Sequence, residues 1–559
     1  MKKFLIILAA ITLYTTSLQA QVNKEVEVTK AYIPTVSRAE KPTLKAPIID
    51  TAYINPDVDY SITPLSITTP LQTEPIKPAT VTYWEFNKAS SSQIKVGMGY
   101  PFNSLLQGYW ASHNASVGYL AANIDHCGDY SSIESLSGDK VSATQVLNSV
   151  GVDAGLYVGD RTLAARVSYL NDSYTNYAYE QVVSPQINYQ QVGAALNFGD
   201  DFVDLSRLNF SMAAELEHFY DNASNLSNNL EFEGLVGREI SLGDLLFGVD
   251  YKYINSDYLY QNNSFAIAAS LQSMIADWNL DLGVRYIYDK SVVDLDATAY
   301  NYIIPEVIMR RTSPSLISPF LAIGGSVEQN NYAALTEINP YIGSGISGAS
   351  SIDYNLIGGI EGQTASSKLS YRLYAGYQIG INSKYWVYNI VEELSYTTTD
   401  VYQSYFNLNF GSLNTLSLNF DATYMPFNNL CLNFEGHVNS YYKSSSATND
   451  YTVSQPKYTM VVDAHYTLRN FKLGIEGELI GERSCDVYTA STVSSSSYQG
   501  SIAELPTAFD LSTYAQWRAT DMMAIFIEGS NLCGANIYPW PLYRGFGARV
   551  TAGVKIKFR

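Results

Sequence analysis

The chain has 559 residues, of which 46% are apolar and only 16% charged, with 46 tyrosines and a formal net charge of −19. Phosphate backbones demand a basic face, so 53 acids against 34 bases argue against a nucleic-acid partner. Aromatics at 13% suit half-buried strands and disfavour a helical bundle, while four scattered cysteines, Cys127, Cys431, Cys485 and Cys533, exclude a disulfide scaffold and lack zinc-ligand spacing.

Residues 1–20 place Lys2 and Lys3 before an apolar run from Phe4 to Tyr14 and end on Ala20, the pattern of a secretory signal peptide. Beyond them there is no run of about 18 apolar residues, so no membrane-spanning helix is predicted. In the next segment, 21–91, Pro34, Pro42, Pro47, Pro56, Pro64, Pro70, Pro75 and Pro78 follow closely. Proline fixes φ and removes backbone donors, which predicts an extended periplasmic or luminal segment rather than a packed domain.

From residue 92 to 559 the texture becomes strand-length segments with period two. Leu416, Leu418, Phe420, Ala422 and Tyr424 share one face, and Ser417, Asn419, Asp421 and Thr423 the other. Leu432, Phe434 and Val438 oppose Asn433, Glu435, His437 and Asn439. Phe471, Leu473 and Ile475 oppose Lys472 and Glu476; Val550, Ala552, Val554, Ile556 and Phe558 oppose Thr551, Lys555 and Lys557. A soluble sandwich also alternates, but here the connections alternate in length as well. The short ones are VGDR (158–161), SLGD (241–244), IADW (275–278), MPFNNL (425–430), LRNF (468–471) and RATD (518–521). The long ones are 126–144, 172–184, 328–352, 443–456, 482–507 and 531–543. Outer-membrane barrels have short periplasmic turns and long outer loops. The fold class is therefore all-β, a transmembrane antiparallel up-and-down barrel of about 22–24 strands in a Gram-negative outer membrane, with apolar side chains facing lipid. Trp278, Tyr424, Trp517, Tyr538 and Trp540 are expected in the interfacial aromatic girdles.

The segment FDLSTYAQWRATDMMAIFIEGSNLCGANIYPWPLYRGFGARVTAGVKIKF resembles the C-terminal hairpins of TonB-dependent-receptor-like barrels, with Asn531 and Leu532 closing a strand and Arg544 and Gly545 preceding the last one. NYAALTEINPYI, YNLIGGIEG and SYRLYAGYQIG extend the resemblance over most of 92–559. The resemblance implies solute uptake and a terminal aromatic strand read by the barrel assembly machinery, although here Phe558 is followed by Arg559. It also implies a luminal plug and a recruiting segment for an energised inner-membrane protein, which VNKEVEVTKAY (22–32) resembles. The family's globular plug is absent from this sequence, so residues 22–90 or inward-folded loops are expected to fill the lumen.

No catalytic or cofactor-binding residue is assigned, and no GxSxG elbow occurs; GSGIS (343–347) falls in a predicted outer loop. Glu435, His437, Asp463 and His465 fall on the predicted inner face of two successive strands, where they form either a metal-binding cluster or the ordinary polar lining of a wet lumen. His113, His126 and His218 read as surface or girdle residues. Luminal Asp421, Glu476 and Glu478 are expected to disfavour anions. Two functions fit: passage of a solute through a receptor-like or porin-like barrel, or a structural barrel whose Pro-rich leader docks a periplasmic or lipoprotein partner.

Overall fold

The computed structural model describes residues 92–558 except 113–116, 135–139, 178–185, 257–259, 294–295, 313–315, 344–349, 365, 392–402, 444–452, 491–498 and 542. The expected signal peptide and Pro-rich segment lie outside the described residues. Among the described residues no helix is long and apolar enough to cross a membrane, and nearly all regular structure is strand.

The main sheet contains 24 strands. Two of them, Arg483–Ala490 and Gln499–Leu505, branch off at the rim, because Phe471–Ile480 pairs directly with Ala508–Arg518. The remaining 22 form an antiparallel wall, closed where Ser92–Tyr100 pairs with Arg549–Phe558 in the register Ser92↔Phe558 to Tyr100↔Val550. Closure leaves no unpaired edge in the wall, the condition that hydrocarbon imposes on strands.

The side chains are inverted relative to a soluble protein. Leu416, Leu418 and Phe420 are exposed, whereas the intervening Asn419 is 7% exposed. Along 281–289 of the strand Trp278–Val293 the exposed residues are Leu282, Val284, Tyr286 and Tyr288, and the buried ones are Asp281, Arg285, Ile287 and Asp289. The apolar face is thus the outer, lipid-facing one, and the chain is an outer-membrane barrel. At the turn side of the wall Tyr424 and Trp517 point outward, with Trp517 stacked on Phe471 at 6.4 Å. At the opposite rim, outward His126 bridges Ser104 and Asn148 at 2.8 and 2.7 Å, and His218 bonds Asn228 at 2.8 Å.

The turn phase matches the sequence pattern. Val158↔Arg161, Ile275↔Trp278 and Leu468↔Phe471 each close a two-residue turn. The first turn residue has positive φ in all three: Gly159 at 64°, Ala276 at 52° and Arg469 at 49°. Such turns match the twist of the flanking strands, and at residue 159 glycine removes the Cβ penalty. One turn-side loop between Gln186–Gly199 and Asn209–Asp221 folds inward: Phe202 packs with Leu246 against inner-face Leu235 and Ala268.

Candidate functional site

The outer mouth carries the largest apolar cluster among the described residues. Strands Leu369–Val391 and Gln403–Phe427 run well past the rim, to 23 and 25 residues. Their free segment is widened into a sheet by Arg483–Ala490, which adds in parallel (Val387↔Asp486 to Val391↔Ala490), and by Gln499–Leu505 beyond it. On the other side Phe406 bonds the loop backbone, donating to Tyr341 O at 3.0 Å and accepting from Gly343 N at 2.9 Å.

One face of this sheet is aromatic. Trp386, Tyr388, Phe406, Leu408, Cys485 and Val487 pack with Tyr332, Leu335 and Tyr341 of the neighbouring loop and with Tyr543 of the last outer loop. Tyr388, Phe406 and Tyr543 are fully buried, and Tyr341 stacks on Tyr543 with centroids 3.6 Å apart. The loop segment Tyr332–Ile338 is helical because Asn331 caps it, accepting from Ala333 N at 2.9 Å. The cluster also takes in Tyr189 and Phe219, with Tyr174 and Tyr177 packed against it. Tyr174, Tyr189 and Phe219 belong to the wall, and Tyr177 to the loop leaving it, half the circumference away in strand order. The cluster is therefore a cap that crosses the mouth.

Polar bonds tie the cap down at several places. Tyr189 Oη donates to Pro340 O at 2.5 Å, Tyr177 Oη to Arg544 O at 2.7 Å, and Tyr543 Oη to Asn176 Oδ1 at 2.6 Å. Arg483 donates to the carbonyls of Pro539 and Tyr538 at 3.1 and 2.5 Å. Ser350 Oγ donates to Asp289 Oδ2 at 2.8 Å and accepts from Asn262 Nδ2 at 3.2 Å, joining the loop to the inner wall. Burial pushes the Tyr177 hydroxyl and the Cys485 thiol up to about 12, so both stay neutral and unreactive. The cap corrects one expectation: Trp540 is not a girdle residue but packs on Trp386 and Phe406, with ring centroids 5.4 and 5.2 Å apart. The last outer loop folds inward over the mouth, so aromatics near its strand ends meet protein instead of lipid.

The predicted acid/His residues all lie on the inner wall, but as two pairs. His437 Nε2 lies 2.8 Å from Glu435 Oε1, and His465 Nε2 lies 2.9 Å from Asp463 Oδ2. The strand register sets Asn433, not Glu435, opposite Asp463, and Asn433 Nδ2 donates to Asp463 Oδ2 at 2.9 Å. The carboxylate that approaches the first pair is Asp421, with ligand atoms of Asp421, Glu435 and His437 within 4.8 Å of one another. His437 Nδ1 also faces Asn419 Oδ1 at 2.7 Å, so both ring nitrogens are hydrogen-bonded.

Sequence reasoning missed a larger asymmetry. On strands from Asn209–Asp221 to Asp296–Arg311 the inner wall is acidic, with Glu215, Glu231, Glu233, Asp250, Asp281 and Glu306. Arg285 sits among them, its Nη2 3.0 Å from Glu306 Oε1, with both side chains only 5% exposed.

No family model matches the chain, and no curated protein matches its sequence. Solved structures do match. The FrpB iron transporter from Neisseria meningitidis (F3-3 variant) superimposes with a TM-score of 0.63 at 10% identity, covering 85% of this chain and 82% of that one. The ferric-catecholate import receptor Fiu from K12 E. coli, in its closed form, gives 0.60 at 9% identity, covering 84% and 82%. The copper transporter OprC gives 0.57 at 12% identity, covering 84% and 80%. At these identities the likeness establishes the fold, that of a closed 22-stranded barrel.

Proposed function

We propose that this barrel passes a solute across the outer membrane as a gated, receptor-like conduit rather than an open pore. The observation that carries the reading is the aromatic cap crossing the outer mouth. A barrel this wide holds an aqueous lumen unless something occupies it, and the cap is built outside the wall, from strand extensions and outer loops, the loops being the elements best able to move. The matched structures include an iron transporter, an import receptor and a copper transporter. On this reading, residues 22–32 recruit an energising inner-membrane partner, residues 22–90 occupy the lumen, and Arg549–Phe558 serves as the strand recognised during barrel assembly.

Planar-bilayer conductance tests it with four proteins: the full chain, Trp540→Ala/Tyr543→Ala, a chain lacking residues 22–90, and the two changes combined. The full chain is expected to be nearly silent and the combined variant to conduct at the level of an open wide pore, at least tenfold higher. Equally large conductance in the full chain and the truncated chain would refute the gated reading. A silent combined variant that co-purifies stoichiometrically with a periplasmic partner would favour the scaffold.

A further inference from the structure

Opposite the acidic wall, where the barrel closes, the inner face carries lysines. Lys95 and Lys555 are direct register partners on Ser92–Tyr100 and Arg549–Phe558, and Lys557 is the next inward residue, opposite Gln93. Lys555 lies within Coulombic range of Lys557 and Lys95 and of the carboxylate of Glu528.

Glu528 is committed to Lys95, at 2.6 Å. Lys95 reaches it by crossing the intervening strand, where Gly553 carries no Cβ; a Cβ there would meet the Phe526 ring at 2.6 Å, and one on Gly97 at 3.0 Å. Phe526 fills that slot, 2% exposed, and the Lys95 ammonium lies 4.5 Å over its ring. Lys555 has Lys95 and Ala524 as register partners, so neither flanking strand sets an acid opposite it. Like charges directly opposite on a sheet face destabilise it, and this chain has acids to spare at a net charge of −19. Three ammonium groups around a carboxylate already engaged by one of them are the arrangement of an anion site, and the acidic wall half the circumference away steers an anion towards them.

We propose that Lys95, Lys555 and Lys557 bind the carboxylate or phosphate group of an anionic solute at the turn-side end of the lumen. This deepens the conduit reading and rests on it for the solute's passage, but binding needs no flux. The luminal acids expected to disfavour anions, Asp421, Glu476 and Glu478, lie on other strands than these lysines.

Equilibrium binding of citrate and of inorganic phosphate to the full-length protein in neutral detergent tests the site. Citrate is expected to bind at low salt and to weaken as ionic strength rises. Lys555→Gln/Lys557→Gln should weaken it at least tenfold, and Lys557→Gln alone about threefold, with the heat-modifiable gel mobility of a folded barrel retained. Lys384→Gln, at the outer Lys384–Glu328 pair, should leave it unchanged. Undiminished citrate binding by the lysine variants, or no binding of either anion by the wild type, would overturn the proposal. Displacement of citrate by micelles doped with phosphatidylglycerol would instead assign the site to a lipid headgroup and overturn the soluble-anion reading. Conductance that behaves as proposed while citrate fails to bind would sink this site alone; citrate binding with a refuted conductance result would sink the passage alone.

Discussion

Arg285→Met should destabilise the folded barrel by about 3–5 kcal/mol, read from urea-dependent folding in lipid vesicles. The guanidinium is the positive partner of buried Glu306, at 3.0 Å, and Glu233 and Asp250 sit opposite each other one strand pair away. Removing it leaves carboxylates facing one another in a wall backed by lipid, where desolvation and mutual repulsion add. The double variant Arg285→Met/Glu306→Leu removes both charges and should recover more than half of the loss, since an apolar pair of similar volume substitutes well for a buried ion pair. A cost below about 1 kcal/mol for the single variant would mean that water reaches these groups freely, and the burial argument for this wall would fall.

The second large effect is a matter of which face receives a charge. Val462 and His465 lie on one strand, Tyr458–Leu468, with Val462 on the outer face and His465 on the inner. Val462→Arg places a cation in hydrocarbon near mid-strand and should cost about 2–4 kcal/mol. His465→Arg stays in the polar lining and should change stability by less than about 1 kcal/mol. The same vesicle folding assay reads both, and equal costs would contradict the facing.

The barrel was legible in the sequence because its two signals are local. Period-two alternation needs only a run such as Leu416 to Tyr424, and the turn phase needs only loop lengths, which is why VGDR, IADW and LRNF fall at the turn side of the structure. The cap was not legible, since its contacts join loops to walls far apart in sequence, as Tyr177 to Arg544 does, and no periodicity records them. Trp540 carries the same sequence signal, an aromatic near a strand end, as Trp517, yet one caps the mouth and the other faces lipid. The inner-face placement of Glu435, His437, Asp463 and His465 followed from parity, but their grouping did not. The register sets Asp421 opposite Glu435 and Asn433 opposite Asp463, and register is fixed by turn geometry that alternation leaves open. The lysine seam was half visible: Lys555 and Lys557 alternate on one strand, but the approach of Lys95 exists only once the two ends of the chain close the wall.

The central claim is the inverted facing of the wall, apolar to lipid and polar to the lumen. Nitroxide labels placed one at a time along Asp281 to Tyr288, in a background without the four native cysteines, measure it in reconstituted vesicles. Collision with lipid-dissolved oxygen should peak at 282, 284, 286 and 288 and fall at 281, 283, 285 and 287, with period two. A flat profile, or peaks at the odd positions, would contradict the account.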